Sequence, residues 1–270
     1  MLAMSMMLGG LPVYEITLSS NRAQWQKSVD APQVPSNVPV NLILRVSSAI
    51  EIQSTSTSVA AIYVDQLAAG SQFYLINAGY VLGKGGVGGA GGTVSGNGGT
   101  GGDGGDAVRL NFNGFAQITN GSGRIWGGGG GGGGGGSCQA WRAGDSVYEF
   151  HAVIGGGGGG GGGAGGGAAG AAGTGANAGT AGTTGSAGTN GTGGNGGHSG
   201  QSGAGNAGGA FGAAGTAGGS GNKHGGPSDG SLSNGGVAGA SGYAIRHDSG
   251  TTVSFISGAV SPNVKGSVST

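Results

Sequence analysis

The chain has 270 residues, 76 of them Gly, and only 7% are charged, with ten basic and ten acidic residues that cancel. Ordinary globular chains hold about 7% Gly and about 25% charged residues, so a conventional core is excluded for much of the length, and the neutral balance removes nucleic acid and anionic membrane as default partners. A single cysteine, Cys138, permits no intrachain disulfide, and no apolar run approaches the ~20 residues of a membrane span.

In chain order, residues 1–11 are Met-rich and apolar without a basic leader, which points to a buried or partner-docked segment rather than a secretory signal. Residues 38–46, 49–53, 60–64 and 73–76 read as strands separated by Ser, Thr and Gly turns. From Gly83 the composition changes. Residues 83–92 and 96–105 repeat as Gly-Gly-x, 127–136 and 155–163 are unbroken Gly, and glycines recur at every third position from 179 to 203 and from 209 to 221. A flexible linker needs no such register, so the period is structural.

A period of three fits left-handed helices with three residues per turn and about 3.1 Å rise. Collagen is disfavoured, because Pro227 is the one proline between Gly83 and Gly258. The alternative is a sandwich of polyglycine-II helices, whose N–H and C=O groups point outward and must pair with neighbours. A Gly on a contact face lets backbones touch, so the number of Gly faces per turn counts the covered sides. By that rule the pure tracts are innermost, with Gly131 and Gly159 in their middles as structural glycines.

Junctions at 75–83, 118–127 and 150–155 share an apolar segment running into glycine, and the first two also carry Asn77 and Asn120. Residues 243–245 and 251–256 read as closing strands. Between the tracts, 137–152 carries Trp141, Arg142, Asp145 and Tyr148, and 221–234 carries Lys223 and His224; 174–190 is a third candidate. Rigid scaffolds place function on such segments, and Trp, Tyr and Arg anchor interfaces.

Catalytic signals are weak. Gly83-Lys84 is followed by Gly85, so there is no Walker A motif. Residues 101–109 fit one copy of a calcium nonapeptide that works only in tandem, and otherwise Asp103 and Asp106 cap a tract. The four histidines lack metal-ligand spacing, and nothing orients Asp145, Ser146 and His151 as a triad. The residues thus imply no enzyme, no cofactor and no metal.

Ile125-Trp126 followed by ten Gly, the second tract after Val153-Ile154, and the non-glycine segments between tracts resemble the glycine-rich receptor-binding tips of tailed-bacteriophage fibres. The T-even-like distal long-tail-fibre adhesins are one form, and siphophage tail-tip relatives another. The resemblance covers about residues 73–256, while 1–81 departs from the T-even attachment domain. It implies a mostly irregular and β fold, with a β-rich attachment region over 1–82, a polyglycine-II receptor-binding domain with short β caps over 83–257, and a C-terminal tail over 258–270. It also implies a virion protein at the fibre tip that binds a bacterial outer-membrane protein or surface polysaccharide and docks on the fibre through 1–82. A competing reading is an ice-binding polyglycine-II protein, motivated by Thr180, Thr183, Thr189 and Thr192, or a purely structural one.

Overall fold

A computed structural model describes residues 3–8, 10–93, 96–143, 148–153, 166–173, 185–189, 192, 194, 204–221, 233–259 and 261–269, with backbone alone at 3–8, 138–143 and 148–153. Contacts divide the chain into two units. The first holds Met1–Gly83, Asp106–Gly127 and Tyr243–Thr270; the second holds Lys84–Gly105 and Gly128–Gly242.

In the first unit, β1 (Ala3–Leu8) and β2 (Leu11–Leu18) form an antiparallel hairpin, and every other pairing between this unit's strands is parallel. β3 (Trp25–Gln26) runs into a single helical turn, α1 (Lys27–Asp30). Then come β4 (Asn41–Val46), β5 (Glu51–Gln53) and β6 (Ile62–Asp65), β7 (Ser71–Asn77) and β8 (Tyr80–Leu82), and β9 (Val108–Asn111), β10 (Gly114–Thr119) and β11 (Arg124–Trp126). Two strands of the second unit, β12 (Cys138–Ala143) and β13 (Tyr148–Val153), precede β14 (Ile245–His247), β15 (Thr251–Ser257) and β16 (Val264–Lys265).

The sheet orders are β1-β2-β4-β7-β10-β15, β5-β8-β11-β16 and β3-β6-β9-β14. The chain therefore visits the first, second and third sheets in turn and returns one strand further along each. This is a three-sided parallel solenoid, and single bridges from Arg22 to Ile52 and from Ile245 to Val268 complete its first and last coils. Parallel pairing needs side chains buried inside, and the alternation supplies them. Leu42, Phe73 and Ala116 stand side by side in register, as do Leu44, Leu75 and Ile118, and all are fully buried. Ile52, Val81 and Ile125 fill the second wall; Ile62, Val108 and Ile245 fill the third.

The shared Asn of the first two junctions has a physical reason. Asn77 and Asn120 are buried at the corner between the first and second sheets, and Asn77 Nδ2 donates to Asn120 Oδ1 at 2.8 Å. Asn77 Oδ1 accepts from Gly79 N at 3.1 Å, and Asn120 Nδ2 donates to the Gly258 and Asn263 carbonyls at 3.2 and 3.3 Å. A Cβ on Gly79 would strike the Ile50 and Ser47 carbonyls. A Cβ on Gly123 would likewise strike the Asn77 side chain and carbonyl, so the corner is closely packed at both glycines.

Composition placed one boundary near residue 82 and a tail at 258–270. The units are instead discontinuous. Residues 106–127 alternate, with Val108, Leu110, Ala116, Ile118 and Ile125 buried, and so rejoin the solenoid despite glycine-rich flanks. Residues 258–269 close it, with Val264 buried and β16 paired to β11. The strands read at 38–46, 49–53, 60–64, 73–76 and 251–256 fall on β4, β5, β6, β7 and β15.

Among its described residues the second unit is almost wholly irregular apart from β12 and β13, yet its hydrogen bonds repeat every three residues. Gly86, Gly89 and Gly92 donate to the carbonyls of Gly129, Gly132 and Gly135, a parallel pairing. Gly128, Gly131 and Gly134 donate to those of Gly105, Gly102 and Gly99, an antiparallel one. Gly130, Gly133 and Gly136 donate to Ala213, Thr216 and Gly219, while Gly236, Gly239 and Gly242 donate to Gly134, Gly131 and Gly128. Residues 128–136 are buried throughout. A Cβ at Gly131 would collide with the Val87 carbonyl, one at Gly132 with that of Asn206, and one at Gly133 with that of Gly236. Successive residues thus meet different neighbours. The x positions of 84–93 point the other way: Val87 is 52% exposed, and Ala90 and Thr93 are exposed.

Lys27 is buried in the first unit, where its Nζ donates to the Gln66 carbonyl at 2.9 Å. Burial lowers its pKa from the ordinary 10.5, and the Asp65 carboxylate offsets part of that.

Three outcomes follow from this packing. Gly131→Ala should abolish cooperative melting of the second unit, whereas Val87→Thr should shift it by under about 0.5 kcal/mol, both read by calorimetry. Asn120→Leu leaves Asn77 Nδ2 with only its longer bond to the Arg124 carbonyl at 3.3 Å and should cost about 1–3 kcal/mol in denaturant unfolding. Between the lowered Lys27 pKa and 10.5 the unfolded chain holds more protons, so this group makes stability rise with pH. Lys27→Met should remove that rise, seen as a flatter stability curve on the alkaline side.

Candidate functional site

The hydrogen-bond lattice gives the second unit two ends. At one end Gly105 N donates to Lys84 O, Gly128 N to Gly105 O and Gly242 N to Gly128 O. These residues adjoin the points where the chain crosses between units. At the other end Gly96 N donates to Thr93 O, Ser137 N to Gly96 O, Ser233 N to Ser137 O and Gly221 N to Ser233 O, at 2.7 to 3.2 Å. Ser137 is fully buried there, and its Oγ donates to the Gly96 carbonyl at 2.9 Å and lies 3.2 Å from Ser233 Oγ.

The candidate segments begin at this second end. Ser137 leads directly into β12, and Gly221 and Ser233 bracket 222–232. Ala168 and Ala171 accept from Gly88 and Gly91 in parallel pairing, so Gly173 lies level with Thr93; Gly185 donates back to Gly170. Gly173 and Gly185 bracket 174–184. The lattice therefore gathers at one end the bases of 138–152 and 222–232 and the start of 174–190, whose residues 185–188 run back along 167–170.

Residues 137–152 were read as a loop, but most of the segment is paired. β12 and β13 form an antiparallel ladder in which Trp141 stands opposite Phe150, Arg142 opposite Glu149 and Ala143 opposite Tyr148. The alternating Trp, Tyr, Phe and Val around Gly144-Asp145-Ser146 was the available signal for a hairpin. Trp141, Arg142 and Tyr148 thus sit near the end of a two-stranded ribbon. Asp145, Lys223, His224 and Gly159 lie outside the described residues.

The acidic residues of the nonapeptide cap backbone amides. Asp103 Oδ1 accepts from Ala240 N at 2.8 Å and Asp106 Oδ1 from Tyr243 N at 3.0 Å, as Asn97 Oδ1 does from Asn234 N at 2.9 Å. Among the described residues no group of three His, Cys, Asp or Glu side chains could hold a metal ion.

A family-wide sequence profile described as "Phage tail fibre adhesin Gp38" matches residues 13–268. The chain belongs to this family of phage tail fibre adhesins. Its function is attachment to the host cell, as a component of the virion's tail fibre. The match begins at residue 13, within β2, and so takes in most of 1–81, the stretch expected to depart from the T-even attachment domain. The ice-binding reading of the adhesin is set aside with it. No curated protein matches the adhesin. Among solved structures, the gp37-gp38 adhesin tip complex of the bacteriophage S16 long tail fibre is similar to it, with 21% identity, 95% of this chain and 81% of that chain covered, and a TM-score of 0.47.

Proposed function

We propose that the adhesin recognises a bacterial outer-membrane protein or surface polysaccharide through the segments 137–152, 174–190 and 221–234, with Trp141, Arg142, Asp145, Tyr148, Lys223 and His224 among the contacting residues. The observation that supports this most is the convergence of Ser137, Gly173, Gly185, Gly221 and Ser233 at one end of the second unit. A receptor can then meet several segments at once, held by backbone that tolerates no slack.

In this reading the glycine tracts are polyglycine-II helices, supported by the three-residue period and the mixture of parallel and antiparallel neighbours. Residues 1–82 dock on the fibre protein, at the distal tip of the fibre. The role is adhesive rather than catalytic, and it requires no cofactor.

Exchange of 137–152 for the corresponding segment of a family member with another host tests this. Adsorption should follow the segment, with fibre assembly unchanged. Adsorption that stays with the original host would remove 137–152 from the recognition site.

A further inference from the structure

Most cations of the first unit face a carboxylate. Arg22 pairs with Asp30 and Arg45 with Glu15; Arg109 lies 3.7 Å from Asp248 and Arg246 lies 3.6 Å from Asp106. Lys27 is buried beside Asp65. Arg124 and Lys265 differ: among the described residues neither side chain has an ion pair or a hydrogen bond. In a chain with no net charge, the two cations of this unit without a counterion converge on one spot.

The convergence comes from sheet register. β8, β11 and β16 are neighbours, with Arg124 opposite Tyr80 and Trp126 opposite Lys265. The Arg124 guanidinium carbon lies 5.3 Å from the Tyr80 ring centroid and 4.8 Å from that of Trp126; Lys265 Nζ lies 4.2 Å from the same indole. Trp126 is only 9% exposed, and its Nε1 donates to the Pro262 carbonyl at 2.8 Å. The indole is therefore a fixed contact shared by both cationic heads. Ring-face attraction holds a guanidinium without consuming its in-plane N–H donors. Glu51 stands on the far side of Tyr80 in the same sheet, one strand removed from Arg124.

We propose that this patch binds a phosphate-bearing saccharide of the bacterial surface, as a second attachment point separate from 137–152. A planar donor fork beside a point charge matches a phosphomonoester, which carries close to two negative charges and three acceptor oxygens. Holding both heads over one ring lowers the ordering cost of binding. One isolated pair of cations is too few for nucleic acid, which is bound through many phosphates. The patch rests on host attachment as the family function and on Tyr80 lying outside the fibre-docking surface of 1–82, and not on the segment assignment.

The test uses the full chain and deacylated lipopolysaccharide from an adsorbing strain, with its phosphates intact or removed by phosphatase. Calorimetric titration should show binding of the intact form that weakens about tenfold or more on dephosphorylation, and as much in Arg124→Gln/Lys265→Gln. The charge-conserving pair Arg124→Lys/Lys265→Arg should retain most of it, which separates charge from folding. Equal binding of both saccharides, or a double Gln variant that binds like the parent, would overturn the proposal. So would a double Gln variant that keeps saccharide binding but no longer assembles onto fibres, since the patch would then serve the fibre protein.

Discussion

The second unit depends on direct contact of backbone with backbone. Along 128–134, and again at Gly136, each residue lies so near a neighbouring carbonyl that even a methyl group would collide with it. The attraction is the ordinary amide–carbonyl hydrogen bond, worth about 1 kcal/mol net. The opposing term is large, because glycine gives up more conformational freedom on folding than any other residue. Only simultaneous formation on several sides offsets that loss, so the lattice is cooperative or absent. This concentrates structural demand on residues with no side chain and releases the intervening segments for recognition.

The first unit solves a different problem by a different route. Its walls are parallel strands, each coil buries its apolar residues against the last, and polar side chains at the corners bond to one another. Both glycine-rich insertions leave from the corner between the second and third sheets, after β8 and after β11, and re-enter at β9 and β14. An adhesin built this way can lengthen or rewrite its insertions without disturbing the stacked core, because the core sees only the entry and exit residues.

Much of this was legible in sequence, for reasons that differ by element. β4, β5 and β7 announce themselves by period-two burial, and the glycine tracts by period three. The Asn77 and Asn120 junctions were visible as a repeat, but their meaning required the corner they share. The solenoid itself was hidden, since β10 and β15 are neighbours while 118 residues of the second unit's territory and its borders intervene between β11 and β14. β16 is two residues long and gave no periodic signal. The candidate segments were found by contrast with glycine, whereas the ladder inside 137–152 was missed by reading that whole stretch as loop.

One spacing ties the two architectures together. Asn97, Asp103 and Asp106 each cap a residue 137 positions later, and the strands β9 and β14 keep that same offset between Val108 and Ile245. A glycine tract sliding past its neighbour by three residues would recover equivalent bonds, so on its own it has no unique alignment. A strand sliding by three would turn its buried side chains outward. Joined in one chain, the two periods act as a vernier whose marks coincide only every six residues, and a slip of that size would carry β9 wholly past its partner. The alignment of the featureless tracts is thereby written in the short strands at their ends.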